Sequence, residues 1–254
     1  MEKARLIIDE PANGAWNMSV DQALLQTADS RGLITLRFYR WAKPTLSLGY
    51  FQKHKDRSLH AASLKCDLVR RKTGGGAILH DHELTYSLSV PSKNRWSSKN
   101  TDLYQLVHQK IIESLREYGV ETQLYSDLVQ SGKDFKDSVI DPASFMCFNR
   151  RSDGDIVLNG HKVVGSAQRR NKTSLLQHGS IMMQKSQHAP ALNGIQDLAN
   201  LKIDMLELAK KISSGTFIAL DCEYEAGTLD ENEMQTAQDI YSIQFNTDRW
   251  NQNR

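Results

Sequence analysis

Apolar residues recur along this chain with two different periods. From Asn17 to Ala28 they fall at Val20, Ala23, Leu24 and Ala28, the spacing of one helical face, with Asn17 placed as N-cap and Gly32 just past the end. Leu103–Tyr118 repeats the pattern through Leu103, Leu106, Val107, Ile111 and Leu115, and Gly119 stops it. Leu198–Ile212 and Asp230–Phe245 also read as helices. Strands are predicted at Leu33–Tyr39, Thr45–Leu48, Asp67–Arg71, Leu84–Val90, Thr122–Tyr125 and Ser174–Met183. Residues 126–146 are polar and read as loop.

The strands come in hairpins with helices set between them. That order favours an α+β layered architecture, a mixed and largely antiparallel sheet with flanking helices, over a doubly wound parallel sheet. No repeat, low-complexity tract or linker divides the 254 residues, so they read as one domain with a helical tail from about residue 190.

Composition excludes more than it selects. A 39% hydrophobic and 24% charged chain is an ordinary globular one. No run of 18 apolar residues spans a membrane, and MEKARLIIDEPANG lacks a secretory core, so cytoplasmic residence is the default. A net charge of +2 gives no argument for nucleic acid. The three cysteines, Cys66, Cys147 and Cys222, form neither a disulfide framework nor a CxxC metal pair, and the eight histidines are scattered.

Two stretches carry candidate chemistry. Residues 69–91 hold Gly74, Gly75 and Gly76 between Arg70-Arg71 and His80-Asp81. Consecutive glycines beside cations suit a carboxyl, phosphate or acyl carbonyl lying against backbone N–H groups. By itself such a triplet favours a tight turn between strands. Neither common phosphate-loop spacing is present. Residues 155–168 place Asn159-Gly160 between two apolar runs, a strong hairpin signal, with Lys162 just beyond the turn and Gly165-Ser166-Ala167 after it. Strand alternation sets Lys162, Val164 and Ser166 on one face. Taken alone, Lys162 reads as a solvated hairpin lysine.

Together the two stretches resemble the signatures of the lipoate–protein ligase and octanoyltransferase family. The first matches at Arg70, Arg71, Thr73, Gly74, Gly75, Gly76, Ala77, His80 and Asp81, the second at Gly160, Lys162, Gly165, Ser166, Ala167 and Gln168. The resemblance runs from about Leu36 to Ser186. It implies the fold shared by biotin and lipoyl ligases and related to class II aminoacyl-tRNA synthetases. It implies substrate contacts from Arg71, Thr73, Gly74, Gly75, Gly76, Ala77, Ile78, His80, Gly165, Ser166 and Ala167. Leu68, Ile78, Leu79 and Val164 are candidates to line an acyl tunnel or, equally, plain core.

Cys147 is the candidate nucleophile. Flanked by Phe145, Met146 and Phe148 it reads first as a small buried hydrophobe. Arg150 and Arg151 follow it, and Lys162 stands fifteen residues on; nearby cations favour thiolate. The cysteine-dependent octanoyltransferases resemble this arrangement, although their serine before the cysteine is Met146 here. Cys66 and Cys222 have no such context.

The resemblance therefore implies transfer of an octanoyl or lipoyl group from an acyl carrier protein thioester, through Cys147, to a lysine of a lipoyl-domain protein such as glycine cleavage H protein or a 2-oxoacid dehydrogenase E2. Lys162 would stabilise the developing oxyanion, helped by backbone N–H groups near Gly75 and Gly76. No cofactor is needed for that reaction. The alternatives are a ligase that uses ATP and Mg to activate free lipoate or octanoate, a lipoyl amidotransferase, and a non-catalytic lipoyl-domain-binding protein. The absence of G-R-G-R-x-G-R-x-W disfavours a biotin ligase. Acidic partners would suit the dibasic pairs Arg70-Arg71, Arg150-Arg151 and Arg169-Arg170, which otherwise read as solvated surface.

Overall fold

The computed structural model describes residues 2–132, 141, 143–172 and 174–254. In chain order the elements are β1 (Glu2–Ile8), α1 (Gly14–Arg31), β2 (Ile34–Tyr39), β3 (Thr45–Leu48), β4 (Asp67–Arg70), β5 (Ile78–His80), β6 (Glu83–Pro91), α2 (Asn100–Arg116), β7 (Gln123–Leu124), α3 (Tyr125–Gln130), β8 (Ile156–Leu158), β9 (His161–Arg170), β10 (Ser174–Met182), α4 (Ile195–Ala199), α5 (Met205–Leu220), β11 (Cys222–Ala226), α6 (Glu231–Ile240) and α7 (Asp248–Asn251).

A main sheet runs β11-β1-β2-β6-β10-β9-β8-β7, and a small sheet runs β4-β3-β5. In the main sheet β1 pairs in parallel with both β2 and β11, and the remaining neighbours are antiparallel. This is the mixed, largely antiparallel α+β architecture expected.

β6 shows how the sequence builds two layers. Its Leu84, Tyr86, Leu88 and Val90 enter the main core with Leu103, Val107 and Ile111 of α2 and Leu208 and Ile212 of α5. The alternate positions are small and polar: Ser87 donates to Asp21 of α1, and Thr85 accepts from Trp41. The sheet thus has a dry face under α2 and α5 and a polar-patterned face under α1 and the small sheet. The site lies on the second face.

The structure corrects several expectations. Helix α1 begins a turn early, capped by Asn13, whose side-chain oxygen accepts from the Trp16 N–H at 2.8 Å. Asn17 is instead fully buried and donates to the carbonyls of Ala12 and Arg40. The single helix expected over Leu198–Ile212 is two, because Asn200 adopts φ 51° and Asp204 starts a new N-cap at α5. Within 126–146, α3 is helical through Gln130, while residues 133–140 and 142 lie outside the described residues. The tail after 190 is not wholly helical: it contributes β11, which extends the main sheet beside β1. Neither strand announces itself, since β1 lacks strict alternation and β11 reads CEYEA.

Candidate active site

The glycine loop leaves β4 at Arg70 and reaches β5 at Ile78. Gly75 has φ +94°, a conformation that glycine adopts without steric cost. Arg71 is buried and donates to the carbonyls of Ser47, Gly74 and Gly76 at 2.9, 2.7 and 2.7 Å. Its guanidinium therefore braces the loop from inside. Burial pushes its pKa down to about 10, a shift the Cys147 thiol opposes when ionised. Arg70 is wholly buried as well. The Arg70-Arg71 pair is thus no docking surface, because both side chains are spent on backbone carbonyls.

The loop is joined directly to the cysteine segment. Ala77 N–H donates to Phe145 O at 2.9 Å, and Cys147 N–H donates to Ala77 O at 2.7 Å. A 3-10 turn at Cys147–Asn149 follows. Lys162 Nζ lies 3.7 Å from Cys147 Sγ and 2.8 Å from Asp155 Oδ2. Both members of the Lys162–Asp155 pair are almost completely buried. Burial pushes the Asp155 carboxyl up, against the pull of Lys162 and of the Ser152 N–H. Asp155 escaped the sequence reading; the signal was a carboxylate at the mouth of an apolar hairpin that buries a lysine.

The hairpin explains the lysine's direction. Asn159 and Gly160 have φ 49° and 76°, the both-positive pair of a type I′ turn. Beyond it the register slips: Val157 faces Lys162, but Ile156 faces Val164, so β9 bulges. The expected shared face of Lys162, Val164 and Ser166 is therefore broken. Lys162 shares its face with Gly165, where a Cβ would come within 2.5 Å of Lys162 Cε. Val164 enters the main core, and Ser166 bonds to Tyr86 and His108.

A cavity of about 290 Å³ opens beside Cys147. That is near the low end of the roughly 300–1,000 Å³ range of small-ligand sites. Of the residues expected to contact substrate, Arg71, Gly74, Gly75, Ile78 and His80 line it from one side, and Gly165, Ser166 and Ala167 from the other. Thr73, Gly76 and Ala77 stand behind this lining. Thr73 bonds to His178, Gly76 abuts the Cys147 backbone, and Ala77 sits in a core cluster. Of the tunnel candidates only Ile78 lines the cavity; Leu68 and Leu79 pack with Leu46 and Leu48, and Val164 with the main core.

Met18, Tyr39, Ser47, Thr85, His178, Gly179 and Ser180 also line the cavity, and none was expected from the sequence. Gly179 was detectable, since a glycine inside an apolar strand marks close approach; a Cβ there would lie 2.2 Å from Ser166 Oγ.

Two buried polar groups of residues support the walls. His80 stacks on Trp41 with ring centroids 3.8 Å apart and bonds to Glu83 at 2.5 Å, while Thr85 and Ser180 also donate to Glu83. On the other side Thr73 Oγ1 meets His178 Nε2 at 2.7 Å, and Asp21 accepts from Arg37, Tyr39 and Ser87. Burial alone would raise the Asp21 carboxyl, but His178 and Arg37 hold it below its usual range. Among the described residues no group of three or more His, Cys, Asp or Glu side chains is arranged to hold a metal ion, and no helix is long and apolar enough to cross a membrane.

A family model described as the lipoyl protein ligase A/B catalytic domain matches residues 13–203. The chain belongs to this family. It is 34% identical to the octanoyltransferase LipM of Halalkalibacterium halodurans, over 99% of both chains, and 32% identical to that of Bacillus subtilis, over 100% of this chain and 99% of the other. Its fold matches a chain from the structure of a bi-partite lipoate protein ligase and its E2 lipoyl domain from Thermoplasma acidophilum. That match has a TM-score of 0.76 at 19% identity and covers 99% and 97% of the two chains. In this chain Cys147 lines the cavity with Lys162 Nζ beside its Sγ.

Proposed function

We propose that the protein is an octanoyltransferase that carries the acyl group on Cys147. The observation behind this reading is the placement of Cys147 Sγ at the cavity wall, 3.7 Å from the Nζ of a buried lysine, in a chain similar along its length to LipM octanoyltransferases. The donor is an octanoyl thioester of acyl carrier protein. The Cys147 thiolate attacks its carbonyl, and the carrier thiolate leaves. The free-energy change is near zero because one thioester replaces another. A lysine amine of a lipoyl domain then attacks the Cys147 thioester. The amide forms, the Cys147 thiolate leaves, and the amine gives up its proton. Neither step needs ATP or a metal. Splitting the transfer in two is the ordinary gain of nucleophilic catalysis.

Lys162 stabilises the oxyanion of both tetrahedral intermediates, held toward Cys147 by Asp155 behind it. The cavity receives the acyl chain. We read the whole chain as one catalytic domain, a reading supported by the pairing of β11 with β1, and place its action in the cytoplasm.

The test is intact-mass analysis after incubation with octanoyl-acyl carrier protein in the absence of ATP. An octanoyl adduct on Cys147, discharged by an apo lipoyl domain, is the expected result. Transfer seen only with free octanoate, ATP and Mg would instead identify a ligase.

A further inference from the structure

The family resemblance in the sequence ends near Ser186, well before residues 246–254. In the fold, residues 246–254 lie against the start of the glycine loop. β4 is an edge strand of the small sheet, and at Arg70 its open edge is met by side chains. Arg70 N–H donates to Asn251 Oδ1 at 2.8 Å, and Trp250 Nε1–H donates to Arg70 O at 2.7 Å. The Arg70 guanidinium donates to Asn251 O at 3.1 Å, Gln52 O at 2.6 Å and Gly49 O at 3.1 Å. Asn251 is itself anchored, its amide donating to Phe245 O at 2.8 Å.

These contacts continue to the glycine loop and to the segment before Cys147. Gly49 touches the loop, because a Cβ on it would lie 2.0 Å from Gly75 O. Gln52 donates to Phe145 O, two residues before Cys147, at 3.1 Å. Arg254 meets the same loop: His54 N–H donates to Arg254 O at 2.6 Å, and the Arg254 guanidinium lies over the Tyr50 ring at 4.5 Å. Every contact of the Arg70 guanidinium described above is to a backbone carbonyl, so the side chain holds geometry rather than balancing a charge.

We infer that the C-terminal segment is a clasp that positions the glycine loop and the Cys147 segment for acylation, with Asn251 and Trp250 as positioning residues acting through Arg70. This rests on the octanoyltransferase reading. A displacement of about 1 Å in such a site costs on the order of 10²-fold in rate.

Two variants test it. Trp250→Phe keeps an aromatic ring and removes the indole N–H with its five-membered half; Asn251→Ala removes the oxygen that receives Arg70 N–H. At a temperature where circular dichroism shows each fully folded, single-turnover acylation of Cys147 is expected to fall about 10- to 100-fold. Amide exchange across residues 71–77 is expected to quicken at least about tenfold. Asn251→Asp keeps the oxygen that receives Arg70 N–H but loses the donor to Phe245 O, so it should recover only part of the rate. Phe217→Leu, on the core face of α5, serves as a control of matched thermal loss and should change neither readout. Wild-type acylation and exchange in both clasp variants, or equal losses in the control, would overturn the inference. If the wild-type enzyme forms no adduct, the octanoyltransferase reading fails and the exchange measurement still decides the clasp.

Discussion

Gly76 lies so close to Cys147 that a Cβ on it would come within 2.9 Å of the Cys147 nitrogen and 3.0 Å of its Cα. The obstructing atoms are backbone, so a side chain at 76 must displace the cysteine segment. Gly76→Ala is therefore expected to slow acylation by at least about 10²-fold. Overpacking should cost about 1–3 kcal/mol of stability. Adduct formation followed by mass, with urea unfolding alongside, measures both. A fully active Gly76→Ala enzyme would mean that the loop does not place the sulfur.

Cys147→Ala removes the proposed nucleophile and leaves its paired backbone intact, since Ala77 O accepts from the Cys147 N–H rather than from the thiol. Octanoyl transfer should vanish and the thermal midpoint should change little. Wild-type transfer in this variant would discard the acyl-enzyme.

The α+β architecture and both site stretches were legible because each depends on local signals. Asn159-Gly160 declares its turn, Leu103 to Leu115 its helix face, and Gly74–Gly76 its loop. What escaped depends on long-range partners. Asp155 matters because a lysine seven positions on is buried against it. His178 enters the lining through the pairing of β10 with β9. The bulge that turns Lys162 toward Cys147 is hidden in the apolar pair Val163-Val164, both of which are buried. Asn251 and Arg70 are 181 positions apart.

Lys162 and Asp155 are expected to fail differently. Lys162→Ala should lower acylation about 10²–10³-fold, the loss typical of one oxyanion donor. Lys162→Arg should not restore it, because a planar fork cannot replace a compact ammonium in a space bounded by Gly165. Asp155→Asn leaves a buried cation unpaired, which costs about 3–5 kcal/mol of stability in addition to rate. Single-turnover rates and denaturant midpoints separate the two effects. An Asp155→Asn protein as stable as wild type would show that Lys162 finds another counter-charge.

His108 gives a pH prediction. Gly154 O can only accept, so Nδ1 carries the proton at 2.6 Å, and Nε2 accepts from Ser166 Oγ at 2.6 Å. Burial holds this imidazole down to about 4, from an ordinary 6.5. The unfolded chain binds a proton there that the native one does not. The contribution is therefore complete above about pH 6.5 and is lost as pH falls toward 4. The shift corresponds to roughly 3 kcal/mol. His108→Gln should flatten that slope, read by urea unfolding at about pH 4.5 and 7, where the lowered Asp21 stays ionised. An unchanged slope would mean that His108 titrates normally.

The last prediction concerns Arg151, which in sequence looked like half of a docking pair. Its guanidinium donates to Phe148 O at 2.7 Å, Arg150 O at 3.0 Å and Gly160 O at 3.1 Å. It thus ties the turn carrying Cys147 to the hairpin carrying Lys162. Arg150 points back to Ser144 O at 2.7 Å. A docking residue would affect only the carrier-borne substrate, through KM and most strongly at low salt. A tie between the two reacting groups acts on every donor. Arg151→Ala is therefore expected to slow acylation by a small octanoyl thioester as much as by octanoyl-acyl carrier protein, on the order of tenfold, with little salt dependence. A defect confined to the carrier substrate and erased by salt would return Arg151 to a docking role.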